Sequence, residues 1–206
     1  ADVERLDVAE LADLIDEHDV VVWSAGAGGG SPERTYAVDR DAAIRMMDAT
    51  AQAGVSRFVM VSYFGASLNH DVPAESPFFP YAEAKAAADA YLRASDLAWT
   101  IVAPSALTLE PATGRIDPDA PAAGSVSRAD VAAVVAAVLA DPSTIGKTIP
   151  FNAGDLTMGH ARAIITAKDP EALAKEIVKK GMSVRQAEAL AILAGGKLQL
   201  TFKDAA

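Results

Sequence analysis

The chain of 206 residues contains no cysteine, which excludes a disulfide framework and any thiolate metal site. Imidazole is scarce as well: His18, His70 and His160 are the only histidines, so a structural zinc site is not expected. His18 closes a helical stretch, where a cation is favoured, and His70 falls in a loop; both are expected to be structural or solvated. No apolar run approaches the roughly 18 residues that a spanning helix needs, and no charged-then-apolar leader opens the chain. The expectations are therefore no membrane partner, no metal and a cytoplasmic location.

What is present describes a globular protein. Hydrophobic residues make up 51% and charged residues 22%, enough apolar surface to offset the entropy of ordering the chain. The net charge of −10 is unevenly spread. Residues 1–155 carry 10 Lys+Arg against 23 Asp+Glu, whereas residues 156–206 carry 8 against 5. An acidic body repels phosphate backbones, so any contact with nucleic acid would have to come from the weakly basic tail.

Strand and helix signals alternate through the acidic body. Asp7 caps an apolar-periodic stretch Leu6 to His18, which leads into the β-branched run Val20-Val21-Val22. A loop from Ser24 to Glu33 precedes a helix from Ala42 to Ala53, ended by Gly54, and Phe58 to Val61 reads as a second buried strand. A Pro-rich loop follows, then an Ala-rich helix from Tyr81 to Ala94 and a third strand, Trp99 to Val102. Residues 104–125 read as a loop covering a site, Ser127 caps a helix from Arg128 to Ala140, and Thr148 to Asn152 is a further strand. Uniformly apolar strands alternating with helices predict an α/β fold, a parallel sheet covered by helices on both faces. Beyond Asp155 the texture changes to three short helical stretches, 158–167, 170–180 and 183–193, with a Ser183/Gln186 capping box, Pro170 in a first turn and Gly181 as a C-cap. The chain thus divides into an α/β domain over 1–155 and a small helical appendage over 156–206 that ends in a short alternating strand at 198–202.

Tyr81 and Lys85 stand four apart on a predicted helix and hence share a face. A nearby ammonium favours phenolate and would lower the Tyr81 pKa, making it a better proton donor to a carbonyl oxygen or acceptor from an alcohol. Ser62, at the carboxyl end of the preceding strand, lies at the edge where open α/β sheets bind ligands and could bond the same oxygen. An isolated Y-x-x-x-K match is also what a solvated lysine beside a packed tyrosine produces.

Four segments, Val20 to Gly26, Arg57 to Ser62, Tyr81 to Lys85 and Ser127 to Ala132, occur in an order that resembles the atypical NAD(P)-binding members of the short-chain dehydrogenase/reductase family. The resemblance spans residues 1–155 and implies a Rossmann-like fold, here an incomplete doubly wound parallel sheet. It implies that Tyr81 acts as acid/base, that Lys85 tunes it and contacts the nicotinamide ribose, and that Ser62 orients a carbonyl or alcohol substrate. Ser24, Ala25 and Gly26 would line the cofactor, NADP or NAD, with Pro104 and Ser105 near the nicotinamide. The family pattern opens with a strand, a G-x-x-G-x-x-G turn, a helix and a second strand, and this chain begins after them. Two or three strands of the sheet are thus expected to be absent, and turnover weak or lost. Dimerisation across the edge left open would protect it. Gly26-Ala-Gly28-Gly29-Gly30 could stand in for the glycine turn, or serve as a loop beside the adenosine end of the pocket; turn chemistry alone also explains it.

The tail resembles a different family. Leu156 to Ile164 and Glu176 to Glu188 are similar to the central region of ParB chromosome-partitioning proteins, and Gly195 to Asp204 to their dimerising end, whereas the arginine motif and the helix-turn-helix that these proteins place upstream are not recognised. Arg162, Lys179, Lys180 and Arg185 could touch phosphates, but a net charge of +3 supplies little affinity, and a solvated basic face on a packing helix is the favoured explanation. Two families matched at complementary places suggest a recombined, engineered or computationally generated chain, in which a non-enzymatic module binding protein or DNA through the tail is the alternative to a reductase.

Overall fold

A computed structural model describes residues 2–195. In chain order the elements are α1 (Val8–Ile15), β1 (Val20–Trp23), α2 (Pro32–Thr35), a π-helical turn (Tyr36–Ala42), α3 (Ala43–Gln52), β2 (Arg57–Val61), α4 (Phe79–Ala94) and β3 (Ala98–Pro104). Short strands β4 (Ala106–Thr108), β5 (Arg115–Asp117) and β6 (Ser125–Ser127) lead to α5 (Arg128–Ala140), β7 (Lys147–Ala153) and β8 (Leu156–Thr157). Helices α6 (Met158–Thr166), α7 (Pro170–Lys180) and α8 (Val184–Gly195) complete the described residues.

The main sheet has the order β1-β2-β3-β7-β5-β8. Its first four strands are parallel, with Val21 opposite Phe58, Met60 opposite Ile101 and Val102 opposite Ile149. Side chains alternate across a strand, and both faces here are covered. Phe58, Met60 and Ile101 pack on one face with Leu11 of α1, Met47 of α3 and Leu92 of α4. Val59, Val102 and Ile149 pack on the other with Val131, Val134 and Val138 of α5. The expected parallel α/β sheet with helices on both faces is therefore present. Among the described residues β1 is paired only with β2, which leaves it an edge strand.

Local chemistry explains the element ends. Asp7 and Glu10 form a reciprocal capping box at α1, each backbone N–H donating 2.9 Å to the other's carboxylate. At the α7–α8 junction Gly181 takes the left-handed φ of 58° that a C-cap requires, and Gln186 Oε1 accepts from the Ser183 N–H at 2.8 Å, as the sequence predicts.

Two regions differ from expectation. The loop after β1 ends earlier, because Ser31 caps and Pro32 opens a helix that runs without interruption through the π-helical turn into α3. Residues 104–125 are not simply a cover. Ile116 is fully buried in the core beside Val102 and Phe151, so β5 joins the sheet antiparallel to β7.

The helical tail is tied to the sheet: β8 pairs with β5, Ile165 packs against the α5-side core, and Lys147 Nζ donates to the Ile165 carbonyl at 2.7 Å. Its own core gathers Leu156, Ile164, Leu173 and Ile177. The strand expected at 198–202 lies outside the described residues.

Phe58 is fully buried between α3 and α4. Phe58→Ala is expected to lower the unfolding free energy by about 3–5 kcal/mol, read as a drop in the urea midpoint at unchanged slope.

Candidate active site

The carboxyl ends of β1 and β2 and the first turns of α4 enclose a cleft of about 770 Å³. It brings together Ser24, Ala25, Gly26, Ser62, Tyr81 and Lys85. Pro104 and Ser105 are not among its lining residues. Both are buried, and the Ser105 hydroxyl bonds Asn152 Oδ1 while accepting from the Gly124 N–H at 3.1 Å, which pins the 105–124 segment instead of facing the cleft. A second depression of about 510 Å³ lies at the amino ends of β2 and β3, beside Tyr91 and Asp48, whose side chains bond each other at 2.7 Å.

The β2 ladder continues one residue past the strand, with the Ser62 N–H donating to the Val102 carbonyl at 2.8 Å. Pro80 in the first turn sets the start of α4, and Tyr81, Lys85 and Asp89 then follow at four-residue steps down one face. Alanines 82, 84 and 88 are fully buried and let the helix lie close to the sheet. Lys85 is 2% exposed, and its Nζ donates to the Val61 carbonyl at 2.8 Å. Burial pushes this ammonium's pKa down, opposed by Asp89 and Asp39.

The phenol of Tyr81 is pushed well above its ordinary pKa, first by burial and then by Asp39, Tyr63 and Asp89. The expected lowering by Lys85 is absent: the ammonium is turned into the sheet toward the Val61 carbonyl, and burial of the phenol, with Asp39, Tyr63 and Asp89 beside it, raises the pKa. The Tyr81 ring also lies 5.3 Å from Phe78 and 5.5 Å from Tyr63, a small aromatic wall at the cleft.

Two buried carboxylates escaped the sequence reading. Asp39, 2% exposed on the π-helical turn, accepts from the Ala27 N–H at 2.9 Å. Arg34 Nη1 holds the carbonyl of the same residue at 2.8 Å, so the loop after β1 is gripped on both sides of Ala27. The signal was there: Asp39 stands at helical spacing with Ala42, Ala43 and Met46, an acid within the buried stripe. Asp89 is fully buried, and its Oδ2 accepts from the Ser62 hydroxyl at 2.7 Å. Burial raises its pKa, offset by the Ser62 hydrogen bond, Lys85 and Arg93.

The Ser127-Arg-Ala-Asp130 segment has a structural duty. Ser127 caps α5 and donates to Asp130 Oδ2 at 2.9 Å, and Asp130 in turn accepts from the N–H groups of Thr113 and Gly114. Burial alone would raise the Asp130 pKa, yet these bonds bring it below the usual value. The His70 ring packs edge-on against Phe79 at 5.5 Å, and His160 Nδ1 lies 3.0 Å from Thr157 Oγ1. Among the described residues no group of acidic or imidazole side chains has the arrangement of a metal site.

Gly28, Gly29 and Gly30 adopt φ values of 68°, 90° and 117°, with open space where side chains would stand. Such a run presents bare backbone to the cleft. Residues 1–142 match the NAD(P)H-binding family. The chain belongs to this family. It is 37% identical over 164 residues to the UPF0659 protein YMR090W of Saccharomyces cerevisiae, covering 76% of this chain and 72% of the yeast protein. It is 36% identical over 154 residues to the uncharacterized sugar epimerase YhfK of Bacillus subtilis, covering 74% and 71%. The crystal structure of the oxidoreductase ylbE from Lactococcus lactis superposes with a TM-score of 0.72 at 29% identity, covering 85% of this chain and 76% of that one. Residues 124–193 also match the ParB HTH domain, a span that starts upstream of the tail resemblance and takes in helix α5 and strand β7, so the helix-turn-helix expected to be missing is matched after all. A stretch of 38 residues is 66% identical to the chromosome-partitioning protein ParB of Caulobacter vibrioides, of which it covers 12%.

A Cβ on Gly26 would stand 2.9 Å from Asp39 Oδ1. Gly26→Ala is thus expected to cost about 1–3 kcal/mol by overpacking, and a good part of that cost should vanish in an Asp39→Ala background. Thermal melts of the two single variants and the double variant give the coupling directly.

Proposed function

We propose that this NAD(P)H-binding protein is a reductase or dehydrogenase that interconverts a carbonyl compound and its alcohol. The observation that carries the reading is the single cleft at the carboxyl ends of β1 and β2 that holds Ser62, Tyr81 and Lys85 together. The backbone of Ser24, Ala25, Gly26 and the following glycines fits a dinucleotide, since it is free of side-chain bulk and Ala27 is fixed by Asp39 and Arg34. A bound nicotinamide, as NADP or NAD, would supply or accept hydride there. Tyr81 holds the proton for the substrate oxygen: burial and neighbouring acids keep its phenol protonated, which suits donation to a developing alkoxide. Lys85 fixes the helix against β2 through the Val61 carbonyl, and with Arg128 it brings positive charge to the cleft lining.

Titration with NADPH and NADH, followed by nucleotide fluorescence, tests the reading at its base. Binding with a Kd in the micromolar range supports it, and no binding up to hundreds of micromolar sinks it. Tyr81→Phe should spare nucleotide binding and lower turnover by about 10²–10⁴-fold, the usual worth of a positioned proton donor.

The ParB match favours a second reading, contact with nucleic acid through the tail. Lys175 is paired with Glu171 and Lys180 with Glu176, which spends part of the basic charge within α7. Deleting 156–206 would uncover the sheet, so charge reversal is the cleaner probe: Lys179→Glu with Arg185→Glu should abolish salt-sensitive binding of duplex DNA in a filter assay. Binding that survives both changes removes the tail from consideration.

A further inference from the structure

The Ser62 hydroxyl has one proton and donates it inward, its oxygen 2.7 Å from Asp89 Oδ2. Asp89 is fully buried, and among the described residues its Oδ1 has no hydrogen-bond partner. While the carboxylate is charged, Ser62 can offer the cleft only lone pairs, because a hydroxyl carries a single donor. Once the carboxylate is protonated it can donate to Ser62, and Ser62 is released to donate outward.

We propose that Asp89 is a positioning residue that sets the direction of the Ser62 hydrogen bond in the cleft: charged Asp89 makes Ser62 an acceptor suited to an alcohol, and neutral Asp89 makes it a donor suited to a carbonyl oxygen. The inference rests on the carbonyl/alcohol reading of the cleft. The only bond made or broken is the O–H of the Asp89 carboxyl, whose proton is exchanged with solvent; the serine rotor follows and no substrate bond changes. The groups around Asp89 are consistent with a carboxylate poised to change charge. Lys85 and Arg93 on its own helix favour the charged form, the latter from 3.8 Å. Burial favours the neutral form and outweighs them. At the end of β2 stand Ser62 and Tyr63, and Tyr81 feels Asp89 together with Asp39 across the cleft. A buried carboxylate with one oxygen unpartnered is costly when charged, and protonation relieves that cost.

The first measurement needs no ligand. In ¹³C spectra of the aspartate carboxyls, the resonance missing from Asp89→Asn identifies Asp89, whose midpoint is expected above the ordinary carboxylate range. Ser62→Ala should move that midpoint further up, since a bond to the charged form is lost. An unmoved midpoint overturns the proposal, and this arm holds even if Asp89→Asn folds poorly, because Asp89→Glu can make the assignment. The second measurement uses benzaldehyde and benzyl alcohol as probes against the protein with NADP or NADPH. Going from below to above the Asp89 midpoint, the ratio of their affinities should shift toward the alcohol by about fivefold to tenfold, the size of one hydrogen bond. The ratio should be flat in Asp89→Asn, whose carboxamide both donates and accepts at every pH. An equal shift in Asp89→Asn, or none in the parent, overturns the positioning role alone; failure of both probes to bind overturns it together with the carbonyl/alcohol reading.

Discussion

The contact on which the rest of the site depends is the bond from the Lys85 ammonium to the Val61 carbonyl. A buried ammonium is expensive, and it persists only where hydrogen bonds and nearby opposite charge replace water. Here both are present: the Val61 carbonyl at the end of β2, and the carboxylates of Asp89 and Asp39. A hydrogen bond to a charged donor is worth roughly 1.5–3 kcal/mol, more than a neutral one, so it fixes the height of α4 along β2. With that height fixed, Tyr81 one turn above faces the cleft and Asp89 one turn below meets Ser62.

Asp39 and Asp89 therefore do related work from different elements. One holds a backbone N–H of the loop after β1, the other a hydroxyl after β2, and both offset the lysine between them. Burial is the first reason that the Tyr81 phenol resists ionisation although a lysine stands four residues away, and the field of the two carboxylates adds to it. Proximity in sequence places the ammonium near the tyrosine; the hydrogen bond it makes decides which group it serves.

That distinction also measures what the sequence could show. Periodicity and β-branched runs were enough for β1, β2, β3 and β7, and caps such as Asp7, Ser127 and Ser183 marked helix starts, because these signals lie within a few residues of their effect. Ser62, Tyr81 and Lys85, picked out by their spacing, share one cleft. Asp39 and Asp89 were passed over because their partners, Ala27 and Ser62, are 12 and 27 residues away on other elements. Ser105 was read toward the cleft on the strength of a family likeness, but Asn152 and Gly124, both distant in sequence, claim its hydroxyl. The pairing of β5 with β7 is equally non-local; a three-residue strand with one buried isoleucine carries no period to detect.

The resting charge state also gives the proposed reaction a direction. A phenol held protonated by burial is ready to give its proton to an oxygen that gains charge, but it is a poor base for drawing a proton from an alcohol. Alcohol oxidation would need the phenolate stabilised, and Lys85 could do this only by loosening its bond to Val61 and turning toward Tyr81. That bond also seats α4, so the two demands on Lys85 compete. Reduction leaves the lysine where it is, and Tyr81 and Lys85 already stand as that direction needs; Ser62 joins them as a donor once Asp89 is neutral.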